Sequence, residues 1–350
     1  MVKTVEIAGR TIGPGLPCFV IAEAGVNHNG DIRRARLMVE AAIEAGVDAI
    51  KFQTFKAEQL AAATAPKANY QLQTTGSAES QLEMLKRLEL SYETEMDLFQ
   101  YCKQRGILVL SSPFDEESVD FLGRLGIAAF KIPSGEITNL PFLERASGYG
   151  IPMILSTGMS NLKEVETAVR TIRHAGDPPL ILLHCVSDYP ARAADINLRA
   201  MHTMERTFHV PVGYSDHTMG IEVAIAAVAL GACMIEKHFT LDRNLPGPDH
   251  RASLEPEELK ALVKGVRAVE SALGNGCKEP APCELHTAAI ARKSLVAAKG
   301  ISAGTVITLD HVTAKRPGTG LPPVVRSQLI GRQAKRDIAA DTILSWEMVE

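Results

Sequence analysis

The chain is short of the features that would mark several protein classes. Its six cysteines, Cys18, Cys102, Cys185, Cys233, Cys277 and Cys283, contain no Cys-x-x-Cys pair, and four of them lie in apolar runs where cysteine serves as a small hydrophobe. A disulfide-stapled scaffold is therefore not expected, and a reduced, cytoplasmic protein fits best. The longest nearly uncharged apolar run, Val223 to Ile235, is too short to cross a bilayer. Met1 to Gly13 carries Lys3, Glu6 and Arg10 where a signal peptide needs an unbroken apolar core. Neither membrane insertion nor secretion is expected. Basic blocks are missing as well: 37 Lys and Arg stand against 41 Asp and Glu, a net charge of −4, with no cluster long enough to grip nucleic acid. Any anionic ligand must be held by a local site.

What the 350 residues do contain is alternation. Apolar runs rich in Val, Ile and Leu recur between amphipathic segments, the signature of repeated strand–helix units around a parallel sheet. Eight runs stand out: Cys18–Glu23, Asp48–Gln53, Ile107–Ser112, Ala128–Pro133, Pro152–Ser156, Leu180–Cys185, Val210–Ser215 and Cys233–His238. Helical patterns between or after them include 32–45, 93–105, 116–125, 162–175, 218–231 and 256–273. Eight such units in roughly 270 residues is the size of a (β/α)8 TIM barrel. An open doubly wound sheet is the competitor, but no strand-to-helix turn resembles Gly-x-Gly-x-x-Gly.

Barrel enzymes place their chemistry at the C-terminal ends of the strands, and here those ends are polar throughout. They offer Glu23; Lys51 and Gln53; Ser112; Lys131, Ser134 and Glu136; Ser156; His184; Ser215, Asp216 and His217; Glu236 and His238. Period-2 alternation puts Lys51 with Gln53, Ser215 with His217, and Glu236 with His238 on common faces. A single polar strand end simply meets solvent, whereas eight in agreement point to one site at the barrel mouth.

The two lysines with the serines suit a phosphate and a carboxylate, since charge-assisted donors hold such anions. A barrel lysine can instead form a Schiff base. His217 and His238 end neighbouring strands and suit one divalent ion completed by water and substrate oxygens, which admits Mn or Mg besides the metals that favour imidazole. Glu23 and Glu136 are candidates for proton transfer or sugar hydroxyls, and alternatively for salt bridges to Lys51 or Lys131. Asp249 lies in the rigid Pro246–His250 loop after the last strand, within reach of the mouth. Asn29-Gly30 reads as a turn. Met84, Leu85, Leu88 and Leu90 read as core at helical spacing.

A second, smaller unit repeats internally. Ile301/Ile338, Ala303/Ala340, Thr305/Thr342 and Val312/Val349 are all 37 positions apart, so two short β-turn-β units are expected to bury each other's apolar faces about a pseudo-twofold axis. Between the copies, the basic Gly/Pro-rich loop Lys315–Gly320 holds Arg316.

With these residues in view, the sequence resembles the sialic acid synthase family, which includes synthases of N-acetylneuraminate and of N,N′-diacetyllegionaminate. The motifs are AEAGVNHNGD (22–31), KFQTFKAEQL (51–60), SSPFD (111–115), KIPSGEITNLPFL (131–143), LSTGM (155–159), HCVSDYP (184–190), GYSDHT (213–218), EKHFTLD (236–242), PGPDH (246–250) and KRPGTG (315–320). The resemblance implies a (β/α)8 barrel over 1–275, a linker over 276–288 and a small antifreeze-like (SAF) domain over 289–350. It also implies a domain-swapped homodimer in which the small domain covers the partner's barrel mouth.

The activity it implies is a transferase reaction: phosphoenolpyruvate condenses with the open-chain aldehyde of N-acetylmannosamine and water, and C–O cleavage expels phosphate. The alternative acceptor is 2,4-diacetamido-2,4,6-trideoxymannose, which would make the product N,N′-diacetyllegionaminate. Family metal ligands fall on His217 and His238, with Mn expected and Mg or Co admissible. Phosphoenolpyruvate contacts fall on Lys51, Gln53, Ser112, Lys131, Ser134, Ser156 and Ser215. Sugar contacts or proton-transfer roles fall on Glu23, Glu136, Tyr189 and Asp249, and Arg316 would reach across the dimer to the N-acetyl group. Ser187 departs from the asparagine some members carry, which puts a phosphate contact there in doubt. A Schiff-base lyase and a non-enzymatic sugar-binding module are the remaining alternatives.

Overall fold

The computed structural model describes residues 2–350 and divides into two compact units, 1–274 and 275–350. The first begins with an antiparallel hairpin, β1 (Val5–Ile7) and β2 (Arg10–Ile12), which the sequence reading did not anticipate. Eight parallel strands follow: β3 (Phe19–Gly25), β4 (Ala49–Thr54), β5 (Leu108–Pro113), β6 (Phe130–Ile132), β7 (Met153–Ser156), β8 (Leu180–Cys185), β9 (Val212–Asp216) and β10 (Met234–His238). They close into a barrel in chain order, with β10 pairing back onto β3. The eight strand positions agree with the apolar runs of the sequence to within about two residues at each end.

Strand parity divides the barrel into two apolar cores. Residues such as Val20, Ile50, Phe130, Leu155, Leu182 and Ile235 point outward and pack against the helices. Ile21, Ala49, Leu110, Ile154, Ile181 and Met234 instead fill the interior, where Val5, Ile7 and Ile12 of the hairpin join them. The hairpin therefore closes the N-terminal end of the barrel, which makes the opposite end the accessible one.

Local chemistry sets the helix limits. The helix Ile32–Ala45 starts where Asp31 accepts from the Arg33 N–H and stops at Gly46, whose φ of 77° suits a left-handed cap. The helix after β9 runs only over Glu222–Ala229 rather than from 218, because the Asp216 carboxylate takes the Thr218 N–H and hydroxyl and turns the chain before helix can begin. The connection between β4 and β5 is the elaborate one, with three short helices, Ala57–Leu60, Asn69–Thr75 and Gln81–Leu88, ahead of the barrel helix Tyr92–Arg105. The first and third of these carry the apolar faces of a separate cluster, in which Met84 and Leu88 pack with Val26, Phe55 and Ala57.

In the second unit, β11 (Ser294–Ala297) pairs antiparallel with β12 (Val312–Lys315). The repeat closes on itself: Ile301 and Ile338 exchange both backbone hydrogen bonds at 2.8 Å, and Val312, Val349, Ile307 and Leu344 share their core. Part of the expected linker is ordered, since a turn at Pro282–Glu284 leads into the helix Leu285–Ala291. All six cysteines are free, and no helix among the described residues is long and apolar enough to cross a membrane.

One buried carboxyl outside the barrel mouth has a measurable consequence. Glu95 accepts from the Thr54 hydroxyl at 2.5 Å, Thr54 also bonds Ser111, and the other Glu95 oxygen is buried without a hydrogen-bond partner. Burial pushes this carboxyl up to about 8. Folding therefore takes up a proton between about pH 4.5 and pH 8, and stability present at the acid end of that window is lost as pH rises through it. Glu95→Gln removes that loss. Its unfolding free energy relative to the wild type, read from denaturant melts, is expected to rise from pH 5 to pH 8 with a limiting slope of about 1.4 kcal/mol per pH unit.

Candidate active site

The inward-facing ends of the barrel strands meet in one buried charge network. Lys51 on β4 bonds Glu23 of β3 at 2.9 Å and Ser112 of β5 at 3.0 Å, and lies 3.6 Å from Glu236 of β10. Glu236 is also 3.3 Å from Lys131 on β6 and accepts from the Ser215 hydroxyl at 2.9 Å. Gln53 donates to the second oxygen of Glu23 at 3.1 Å. Six strands thus converge, and apart from half-buried Gln53 the side chains that meet are nearly inaccessible.

Burying charges this deeply is tolerable only because they neutralise one another. Burial alone would raise the Glu236 carboxyl, but Lys131, Lys51 and the Ser215 hydroxyl bring it down to about 2. Burial raises Glu23, and Lys51 offsets that only in part. Lys51 is held above the usual lysine range by Glu23 and Glu236 against its burial, whereas burial outweighs Glu236 and lowers Lys131. Glu236 is the residue that the sequence reading left without a role, although its place on the His238 face of the strand was visible.

Beside this network lie the imidazoles. The His217 and His238 ring centroids are 5.3 Å apart, and Tyr189 packs against both, at 4.1 and 5.5 Å. The Nδ1 of His217 faces the Val186 carbonyl at 2.7 Å and the Cys185 thiol at 3.7 Å. Cys185 is more than the small hydrophobe its apolar run suggested. Burial pushes its thiol up, but the neighbouring His217, Ser134 and Lys131 more than reverse that. The Nδ1 of His238 is buried without a hydrogen-bond partner, and burial, with His217 and Lys51 nearby, keeps that ring neutral. Two imidazoles with uncommitted nitrogen fit a divalent ion, although no group of three or more His, Cys, Asp or Glu among the described residues is disposed to hold one. Oxygens from water and substrate would have to complete its coordination.

The remaining candidates divide. Ser134 accepts from the Gly158 N–H at 3.0 Å, and a Cβ at Gly158 would fall 2.3 Å from the Ser187 hydroxyl, so glycine lets these three residues crowd together. The Ser156 hydroxyl is buried without a hydrogen-bond partner. Asp249 is buried and raised to about 7 by that burial and by Glu23. Glu136 does not join the network: it lies on a 3-10 turn past the end of β6, accepts from Asn139 at 2.8 Å, and lines a separate cavity with Asp115, Glu116 and Glu117. Arg316 belongs to the second unit, where it donates to the Ala291 carbonyl. His184 and Asp216 stand outside the network. His184 bonds the Ile196 carbonyl, and Asp216 faces outward to a fully buried ion pair with Lys237 at 2.7 Å.

The Asn27–Gly30 segment does more than turn the chain. Asn29 and Gly30 have φ of 52° and 72°, and a Cβ at Gly30 would press within 2.7 Å of the Arg87 carbonyl oxygen. Asn27 donates to the Phe239 carbonyl and to the Ser253 hydroxyl, each at 2.9 Å, and Ser253 in turn donates to the Asp249 carbonyl. Asn29 donates to the Pro246 carbonyl at 2.6 Å. The loop after β3 thereby clasps the loop that carries Asp249.

A cavity of about 340 Å3 opens beside this cluster, reached by Gln53, Tyr189, His238 and Asp249. Tyr70, which the sequence reading passed over, packs against Tyr189 with ring centroids 4.9 Å apart and lines the cavity too. Met84, Leu85 and Leu88 form part of its wall, so their core role is only half of what they do.

Comparison with known proteins supplies the family. The NeuB family model matches residues 38–278 and the SAF domain model residues 292–350. The chain is 47% identical to the N,N′-diacetyllegionaminic acid synthase of Legionella pneumophila, covering 97% of this chain and 96% of that one. It is also 47% identical to the protein of the same name from Campylobacter jejuni, over 93% of this chain and 98% of the other. Among solved structures, the N-acetylneuraminic acid (sialic acid) synthetase of Leptospira borgpetersenii superposes with a TM-score of 0.72 at 36% identity, covering 82% of this chain and 95% of that one. A closed parallel barrel with a lysine-, carboxylate- and imidazole-bearing mouth and an SAF unit is thus that of a nonulosonate synthase, a transferase that uses phosphoenolpyruvate. The chain belongs to the NeuB family.

Glu236→Gln tests the charge balance directly. It leaves two buried lysines facing one remaining carboxylate, and removing one partner of a buried pair costs about 3–5 kcal/mol. A denaturant melt is expected to show a loss of that order, which Ser112→Ala, deleting only a neutral partner of Lys51, does not reproduce.

Proposed function

We propose that the protein is an N,N′-diacetyllegionaminate synthase, which condenses phosphoenolpyruvate with 2,4-diacetamido-2,4,6-trideoxymannose. The supporting observation is the 47% identity to two synthases of that name across almost the full length of each chain, against 36% to the sialic acid synthetase structure. The expectation that N-acetylmannosamine is the acceptor gives way to the alternative on this ground.

In this reading Lys51 and Lys131, with the hydroxyls of Ser112, Ser134, Ser156 and Ser215, hold the phosphate and carboxylate of phosphoenolpyruvate. The network is nearly neutral before the substrate arrives, so Glu236 and Glu23 keep both ammonium groups oriented and share them with the incoming anion. Gln53, Tyr189 and Asp249 orient the acceptor. Asp249 is the proton-transfer group, since burial places its carboxyl near neutrality. Glu23 shares the acceptor's hydroxyls, and Glu136 reaches it only from the adjoining cavity.

His217 and His238 would hold a divalent ion, Mn by family resemblance, which polarises the acceptor aldehyde when bound. Enclosure of the charge network keeps water away from the enol carbon except where a carboxylate admits it. The lysines remain ammonium donors and form no covalent adduct, so borohydride with pyruvate is expected to leave the mass of the protein unchanged. The active assembly is a homodimer in which the partner's Arg316 completes the acceptor site. Mixing Arg316→Ala and Lys51→Ala proteins is then expected to restore activity that neither shows alone.

The deciding assay is phosphate release from phosphoenolpyruvate by chelator-treated protein with added Mn. Faster turnover of the diacetamido sugar than of N-acetylmannosamine is expected, and the reverse order would make the protein an N-acetylneuraminate synthase. His238→Ala is expected to lose both Mn binding, read by calorimetry, and activity.

A further inference from the structure

We infer that the apolar wall of the 340 Å3 cavity is the surface that selects the acceptor at C6, taking a methyl group there and rejecting a hydroxyl or a phosphate. The inference rests on the acceptor assigned above and adds to it the residues that enforce the choice.

The cavity is lined by two unlike sets of residues. Gln53, Tyr189, His238 and Asp249 form the polar set, beside the charge network. Val26, Leu60, Met84, Leu85, Leu88 and Phe114 form the apolar one, with no lysine or arginine among the lining residues. An open-chain hexose held by its aldehyde at the polar set has its far carbon, C6, left for the apolar one. A methyl there replaces water on apolar surface. A hydroxyl would lose its hydration without gaining a partner, and a phosphate would bring charge to a wall that has no cation.

Two further features fit the same sugar. Gln71 and Gln81 also line the cavity, and each carries an amide able to pair with a second acetamido group of the acceptor. Met84 and Leu88 are only 1% exposed and pack in one apolar cluster with Phe55 and Ala57, which backs this part of the wall with packed side chains. The short helices between β4 and β5 supply four of the six wall residues, Leu60, Met84, Leu85 and Leu88, and none of the four belongs to the main barrel core.

The experiment compares kcat/KM for 2,4-diacetamido-2,4,6-trideoxymannose and for its 6-hydroxy counterpart in the wild type and in Leu85→Asn, at saturating phosphoenolpyruvate and Mn. A wild-type preference of about tenfold or more for the 6-deoxy sugar is expected. Leu85→Asn, at a half-buried position, is expected to bring the ratio near unity mainly through KM for the 6-deoxy sugar, and Leu85→Met to restore it. Ala61→Ser provides the same reading from another part of the wall should the first variant not fold. An unchanged ratio in the folded variants, or no wild-type preference at C6, would overturn the inference while leaving the acceptor assignment intact. Preference for N-acetylmannosamine over both diacetamido sugars would instead overturn the assignment itself.

Discussion

Glu236 stands between Lys51 and Lys131, and the rest of the barrel mouth is arranged around that contact. The three residues come from β10, β4 and β6, which are not neighbours in the sheet, so the carboxylate spans the barrel interior and ties its sides together. A lysine buried at this depth without an anion would lose its proton or draw water into the barrel. Glu236, helped by Glu23, prevents both and leaves two ammonium groups fixed in place. Such a network is pre-organised for an anion, because little rearrangement is needed when phosphate oxygens join the carboxylates around the lysines.

Strand parity decides which polar residues belong to that network. Ser215 and His217 face inward while Asp216 between them faces outward, and Glu236 and His238 bracket Lys237 in the same way. Asp216 and Lys237 spend their charges on one another against the helical layer, where they also hold Thr218 and Tyr214. Thr54, Ser111 and Glu95 do the corresponding work on β4 and β5. Adjacent residues of one motif therefore serve unrelated ends, chemistry on one face and cohesion of the layers on the other.

Around the strand ends, two connections shape what the barrel admits. The loop after β3 is spent on backbone carbonyls of the loop after β10, through Asn27, Ser253 and Asn29, which fixes where Asp249 sits. The insertion after β4 contributes a wall with its own small apolar core. The strands thus provide the charged floor, and the connections provide the polarity and shape of the space above it. The latter lie outside the strands, so they can vary without disturbing the former.

The barrel strands were legible in the residues because each is an apolar run of the right length, and their polar ends fell on one face by period-2 alternation. The helices Ile32–Ala45 and Glu116–Leu125 were equally legible from their periodicity, and the internal repeat from its 37-residue spacing. The hairpin Val5–Ile7 and Arg10–Ile12 was not, since two three-residue strands carry almost no pattern and gain their meaning only by closing the barrel floor. Nor was the central place of Glu236, the proximity of Cys185 to His217, the separation of Glu136 from the network, or the double duty of Met84 and Leu85. Each depends on distances across the barrel between residues far apart in the chain. Local sequence determines which face of its own strand a side chain takes, whereas closure of the sheet alone determines which side chain of another strand it meets.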